Sequence, residues 1–104
     1  MSAGKPLVHN VFFALKDASE AAQQKLIHAC DQFLTGHPGE VFYCAARVVP
    51  DLDRPVNVRD FQVGLQIAFA TRADHDAYQV APRHKQFIEE NRENWAQVRV
   101  FDTQ

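Results

Sequence analysis

The sequence is poor in cysteine, in glycine and in long apolar segments, and each scarcity excludes a class of protein. Two cysteines are too few for the disulfide framework of a small secreted scaffold. None of the four glycines belongs to a phosphate-binding loop or a dinucleotide-binding fingerprint. The apolar segments stay well below the ~20 residues that cross a bilayer, and no apolar signal region follows Lys5. We therefore expect a cytoplasmic protein with no membrane partner.

Neither sign of charge dominates. Eleven Lys and Arg residues stand against thirteen Asp and Glu residues, which gives a net charge of -2. The basic residues are scattered along the chain, whereas nucleic-acid binding needs a basic surface that displaces counterions. We expect no nucleic-acid partner.

The size and apolar content indicate one domain. The chain has 104 residues, of which 46% are hydrophobic, and eight of these are Phe. Such a chain builds one core rather than two and folds without disulfides or a structural metal. We therefore predict a single domain over 1–104, with its core over about 7–102. Cys30 and Cys44 have neither zinc-site nor redox spacing, so we expect both to be buried as small hydrophobic residues.

Apolar periodicity predicts the order of the elements. Strands are expected at 7–15, 41–49, 61–70 and 95–101, and helices at 19–34, from Thr71 to Tyr78, and from Pro82 onward. Asp17 with Glu20 and Thr71 with Asp74 have the spacing of capping boxes. From Phe61 the third strand alternates strictly, which places Phe61 and every second residue after it on one face.

The order β-α-β-β-α-β is that of a ferredoxin-like α+β fold, in which helices cover one face of a four-stranded antiparallel sheet. The other face would expose Val8, Phe12 and part of the last strand, an apolar area too large for a soluble monomer. Face-to-face pairing of two sheets would bury it, and identical chains most often associate through the same surface on each. We therefore predict a homodimeric α+β barrel.

Few residues are candidates for chemistry. His9 lies on the first strand, on the face that carries Val11 and Phe13, and Tyr78 and His84 flank the break before Pro82. A buried imidazole tends to stay neutral, which is the state that a general base requires. The alternative is a structural histidine that satisfies its hydrogen bonds within a filled core.

The remaining histidines and acids give weaker signals. His28, His37 and His75 occur in polar surroundings, where we expect them to be solvated. Asp51 and Asp53 form an Asp-x-Asp pair that could hold a hard cation or simply lie at a solvated turn. No histidine pair has the i, i+4 spacing of a strong metal site, so we expect neither a metal nor a cofactor.

Four segments together match a known pattern. They are Val8–Phe13, Phe61–Phe69, Thr71–Asp74 and Tyr78–His84. In these segments the chain resembles the stress-responsive A/B-barrel (Dabb) family, and the resemblance extends from about Leu7 to Asp102. It implies a ferredoxin-like protomer that pairs into a dimeric α+β barrel.

The resemblance also implies a chemistry. The family includes a plant polyketide cyclase that closes a linear tetraketide by aldol condensation without a cofactor. By this resemblance His84 is the general base, Tyr78 orients the base or donates a hydrogen bond to the developing oxyanion, and His9 lines the pocket. The first helix of that cyclase also contributes a tyrosine to the pocket, whereas this chain has Leu26 and Ile27 in the corresponding region.

Three functional hypotheses follow. The first is a cofactor-free enzyme or binding protein for a small carbonyl-bearing, polyketide-like molecule. Its catalytic residues would be His84, Tyr78 and His9, and its pocket would also be lined by Val11, Phe13, Ile27 and Phe87. The second is a non-catalytic, stress-related dimeric module without a cavity. The third is a cofactor-free monooxygenase or a haem-handling enzyme, because other dimeric α+β barrels do such work.

Overall fold

The computed structural model describes residues 4–104, and their regular elements are four strands, three α-helices and a 3-10 turn. The strands are β1 (Leu7–Leu15), β2 (Glu40–Arg47), β3 (Val63–Phe69) and β4 (Trp95–Thr103). The helices are α1 (Glu20–Phe33), α2 (Arg72–Gln79) and α3 (Pro82–Asn91), and the 3-10 turn is Arg92–Asn94. None of these helices has the length and apolar content needed to cross a bilayer.

The four strands form one antiparallel sheet in the order β2-β3-β1-β4. The two central strands are β1 and β3, in which Val11 pairs with Leu65. The helices lie against one face of the sheet, as α1 and α3 pack on each other and α2 packs on β3. This arrangement confirms the predicted ferredoxin-like α+β fold.

Local sequence signals begin the helices. The Ser19 side chain accepts a hydrogen bond from the Ala22 N–H, so Ser19 caps α1, and the predicted cap at Asp17 is wrong by two residues. Thr71 caps α2 by accepting from the Asp74 N–H, as the capping box predicts. Pro82 is the first residue of α3. An N–H at this position would have no partner within the helix, and the fixed φ of proline already has the helical value.

One core lies between the helices and the sheet. Its buried apolar side chains are Leu7, Val11, Phe13, Leu15, Leu26, Cys30, Phe33, Leu34, Val63, Leu65, Ile67, Phe69, Tyr78 and Phe87. Burial alternates along β1, since Leu7 and every second residue after it are buried while the residues between them are half-buried. This period of two means that β1 directs one set of side chains to the core and the other to the opposite face.

The opposite face, which we call the open face, is not covered by any helix or strand of the described chain, although loop residues 56–58 line a groove beside Phe12 and Phe101. Phe42 and Phe101 lie on it and are 51% and 55% exposed. Phe12 packs against Phe61 and Phe101, with ring centroids 4.9 Å and 5.9 Å away. Phe61 therefore lies against the open face and not in the core. The prediction that Phe61 shares a face with the core residues of β3 is wrong, because β3 begins only at Val63.

The two cysteines differ in environment. Cys30 on α1 is completely buried, and burial raises the pKa of its thiol to about 12. Cys44 on β2 is exposed and lines a groove on the open face, so the prediction that both thiols are buried is wrong for Cys44. The sequence did not reveal this because residues 41–46 of β2 are all apolar, so no alternation assigned Cys44 to a face.

Candidate functional site

A cavity of about 180 Å³ lies between α3 and the helix-covered face of the sheet. It is lined by His9, Val11, Phe13, Leu34, Leu65, Tyr78, Gln79, His84, Phe87, Ile88, Trp95, Val98 and Val100. The cavity opens at the β4 edge, where Val98 and Val100 are 38% and 49% exposed. Its wall is mainly apolar, and its few polar groups are two imidazoles, one phenol, one amide and the indole N–H of Trp95.

The break between α2 and α3 places two of these polar groups. Tyr78 lies in the last turn of α2 and His84 in the first turn of α3, and the Ala81 N–H donates to the Tyr78 carbonyl across the break. Pro82 prevents the helix from continuing, so the chain changes direction. The rings of Tyr78 and His84 consequently meet with centroids 4.6 Å apart.

His9 reaches the cavity from β1 and is only 5% exposed. Its Nδ1 lies 2.5 Å from a carboxylate oxygen of Asp102, which stands directly opposite on β4. A carboxylate that accepts from Nδ1 fixes the tautomer and leaves Nε2 of a neutral imidazole as an acceptor. Burial lowers the pKa of His9, an effect that the Asp102 hydrogen bond opposes.

The pKa values of His84 and Tyr78 are shifted mainly by burial. Burial lowers the pKa of His84, and the neighbouring imidazoles of His9 and His37 lower it further, while the nearby Gln79 main chain opposes this. His84 is therefore neutral at neutral pH. Burial also raises the pKa of Tyr78, which keeps the phenol protonated as a hydrogen-bond donor.

Two histidines expected in solvent lie beside the site instead. His37 is 7% exposed and hydrogen-bonds the Phe33 carbonyl through Nε2 at 2.7 Å, and its ring centroid is 5.0 Å from that of Tyr78. The positive φ angles of Gly36 and Gly39 shape the turn that folds His37 back onto α1. This Gly-His-Pro-Gly turn was the available sequence signal for a constrained histidine.

His75 is the second of these. Its side chain is 12% exposed, and its ring centroid lies 5.2 Å from that of His9. His75 lies in the first half of α2, and its ring packs near His9 of β1 and Phe69 and not in solvent. His28 is exposed, as predicted. Asp102 was missed as a site residue because only strand register brings it to His9.

The structure brings together most of the residues singled out from the sequence. Six of them line the cavity: His9, Val11, Phe13, Tyr78, His84 and Phe87. Ile27 does not line it, because it packs against the core from α1. A larger groove of about 420 Å³ lies between the start of α1 and the end of α3, and its wall mixes charged residues such as Lys25, Glu90 and Glu93 with apolar ones. It contains none of the histidines.

Solved structures with this fold cover nearly the whole chain. A Dabb-family protein with a ferredoxin-like fold from Mesorhizobium loti superposes with a TM-score of 0.79 at 19% identity over 97% of each chain. A dimeric ferredoxin-like protein of unknown function from Thermobifida fusca gives 0.77 at 14% identity, over 99% of this chain and 93% of that one. A hydroxynitrile lyase from Passiflora edulis gives 0.74 at 19% identity, over 95% and 92%.

At these identities the structural matches establish the fold alone. No curated protein sequence gives a significant match to the chain. The model of the stress-responsive A/B-barrel domain, in contrast, matches residues 7–104, which is nearly all of the chain and includes every cavity-lining residue. The chain therefore belongs to the stress-responsive A/B-barrel (Dabb) family.

Proposed function

We propose that the cavity binds a compact carbonyl-bearing molecule and that His84 acts on it as a general base without a cofactor. The observation that carries this proposal is the position of His84 and Tyr78, whose ring centroids lie 4.6 Å apart in the wall of one mainly apolar cavity. Ligand sites usually combine an apolar wall with a few converging polar groups. An imidazole and a phenol that meet in such a wall are suited to a ligand that brings its own polar group.

The cavity volume limits the size of the ligand. An apolar cavity of about 150 Å³ holds one benzene molecule, and the cavity here measures about 180 Å³. One ring with a short carbonyl substituent fits this volume, whereas an extended tetraketide does not fit within one protomer. We therefore narrow the polyketide-like class expected from the sequence to single-ring or short-chain carbonyl compounds.

The protonation states support proton abstraction beside a carbonyl group. A neutral imidazole accepts the proton, and a protonated phenol donates a hydrogen bond to the oxygen on which negative charge develops. The centroid distance of 4.6 Å between Tyr78 and His84 allows both groups to contact one small molecule. In this assignment His84 is the base, Tyr78 is the donor, and His9 lines the opposite wall.

One structural neighbour has a name that fits this class of reaction. The Passiflora edulis protein is a hydroxynitrile lyase. When the hydroxyl group of a hydroxynitrile loses its proton, the bond between carbon and the nitrile group breaks, which gives a carbonyl compound and cyanide. Proton transfer at or beside a carbonyl is common to that reaction and to the aldol chemistry implied by the family. This shared step supports the proposed reaction type.

We further propose that the protein functions as a homodimer paired through its open face. The exposed Phe42 and Phe101 and the Phe12–Phe61 cluster form an apolar area on a sheet that has no covering layer. The Thermobifida fusca neighbour is described as dimeric. A non-catalytic dimeric module remains the alternative function, and it requires only this surface.

The cavity proposal is tested with acetophenone and a matched pair of variants. Saturation-transfer NMR measures binding, and loss of the methyl proton signal in D₂O measures proton abstraction. We expect binding and exchange with the wild type, and an exchange rate lower by about 10²–10⁴-fold in His84→Gln, as is usual for loss of a general base. His28→Gln, a change at an exposed histidine, is the control and should match the wild type.

Two outcomes would contradict the proposal. Equal exchange rates in the wild type and His84→Gln would remove His84 as the base. If acetophenone and benzaldehyde both fail to bind, and His84→Gln only lowers the melting temperature, the histidine is structural and the dimeric module is favoured.

A further inference from the structure

Three metal-ligating side chains from distant parts of the chain meet beside the cavity. They are His9 on β1, His75 on α2 and Asp102 on β4, and their ligand atoms all lie within 4.8 Å of one another. They form the one such group of three within residues 4–104. Nothing in the proposed general-base function uses His75 or requires a metal.

We propose that His9, His75 and Asp102 bind a divalent transition-metal ion such as Zn²⁺ or Fe²⁺. Imidazole and carboxylate ligands suit these ions, whereas Mg²⁺ and Ca²⁺ prefer sites built from oxygen alone. Three protein ligands are the usual set of a catalytic zinc site, and they leave a position for water or substrate. Two histidines with one carboxylate are also the ligand set of non-haem Fe²⁺ enzymes.

Burial and charge favour an ion at this point. The side chains of His9 and His75 are 6% and 12% exposed, so water competes weakly for their nitrogens, and Asp102 supplies one negative charge. The Asp102 side chain is 42% exposed, which leaves an entry path from solvent. Nδ1 of His75 lies 3.1 Å from the Asp76 carboxylate. That contact is the outer hydrogen bond that commonly orients a metal-bound histidine.

Metal binding requires two small movements and the transfer of the His9 ring proton from Nδ1 to Nε2, because a metal-bound nitrogen carries no proton. Two ligand atoms of a tetrahedral zinc ion lie about 3.4 Å apart, since each is about 2.1 Å from the metal, so the 2.5 Å contact between His9 and Asp102 must lengthen. The exposed Asp102 side chain on the edge strand β4 is free to do so. The amide of Gln79, which lies 3.3 Å from Nε2 of His75, must also turn away.

The experiment uses the full chain after EDTA treatment and desalting. Zn²⁺ is titrated in competition with a chromophoric chelator, and Co²⁺ is added separately to record its visible ligand-field spectrum. We expect one Zn²⁺ per chain and an affinity lower by at least about 100-fold in His75→Gln and in Asp102→Asn, because each loses one of three ligands. His28→Gln and Asp51→Asn, which change exposed residues, should keep the wild-type affinity.

The Co²⁺ spectrum distinguishes this site from weak binding at the surface. A spectrum with an imidazole contribution should shift in His75→Gln while circular dichroism shows an unchanged fold. Absence of Zn²⁺ binding by the wild type, or equal affinity in all variants, would overturn the proposal and leave His9 and Asp102 as a hydrogen-bonded pair. The acetophenone experiments are to be run on the same EDTA-treated, desalted protein. Failure of one proposal then does not affect the other.

Discussion

The two faces of the sheet show how one strand sequence can serve two different purposes. On the helix-covered face, β1 contributes His9, Val11 and Phe13 to a buried layer that encloses the cavity. On the open face, the intervening Asn10 and Phe12 stay half-buried beside exposed aromatic rings. The covered face holds the titratable groups, whose pKa values burial shifts, whereas the open face is suited to contact with another protein surface.

The largest expected difference between the faces is in stability. Phe13→Ala should lower the free energy of unfolding by about 3–5 kcal/mol, because it removes a ring from a closely packed core. The matched change Phe42→Ala on the open face should cost the separated protomer much less, since Phe42 is 51% exposed there. Urea unfolding at a protein concentration low enough to keep the chain monomeric measures both, and equal losses would show that the two faces are packed equally well.

The next effect concerns association. Phe101→Lys places a charge on the open face and should raise the dissociation constant of the proposed dimer by at least about tenfold, because a buried unpaired charge is costly. Light scattering after gel filtration should report a dimer of the 11.8 kDa chain for the wild type and more monomer for the variant. Val80→Lys, a change at a residue 65% exposed in the turn between α2 and α3, is the control.

Wild-type protein that stays monomeric at micromolar concentration would contradict the dimer proposal directly. If Val80→Lys weakened association as much as Phe101→Lys does, the contact would involve the helical side of the molecule instead. In that case the open face would not be the dimer interface, and its exposed aromatic side chains would have to contact another partner.

The smallest effect is the pH dependence of stability, which belongs to the covered face. The pKa values of His9 and His84 are lowered from the ordinary value of 6.5, mainly by burial. The unfolded chain therefore binds more protons than the folded chain as the pH falls below about 6.5, and stability decreases with falling pH. The melting temperature should drop between pH 7 and pH 5, and His84→Gln should reduce that drop.

The control for this prediction is His28→Gln, which changes an exposed histidine and should leave the pH dependence as it is in the wild type. A melting temperature that is constant from pH 7 to pH 5 would mean that the folded protein binds the same number of protons as the unfolded chain. Burial would then have no net effect on the pKa values of His9 and His84.

Much of the fold could be predicted from the sequence, because its signals are local or periodic. The alternation along β1, the capping box at Thr71 and the proline that begins α3 each act within a few residues. Two errors lie at boundaries, where Ser19 replaces Asp17 as the cap and Phe61 precedes its strand, and a third is the predicted burial of Cys44. At both boundaries the local sequence allows more than one end point, and the packing of the folded chain decides between them.

The candidate site was only partly predictable. The sequence indicated His9, Tyr78 and His84, because an imidazole on a buried strand face and two polar rings at a helix break are visible as patterns. It did not indicate Asp102, which is 93 residues from His9 along the chain, nor the inward turn of His75. Spacing rules for metal ligands search within one element, and these three donors come from three elements.

The sequence by itself determined the order of strands and helices and the side chains that alternate along β1. Only the tertiary structure decided which residues face one another across the sheet. Register between β1 and β4 depends on the packing of the entire sheet against its helices, and a shift by one residue would send Asp102 to the open face. The contact between His9 and Asp102 thus depends on the fold as a whole, because no local interaction fixes it.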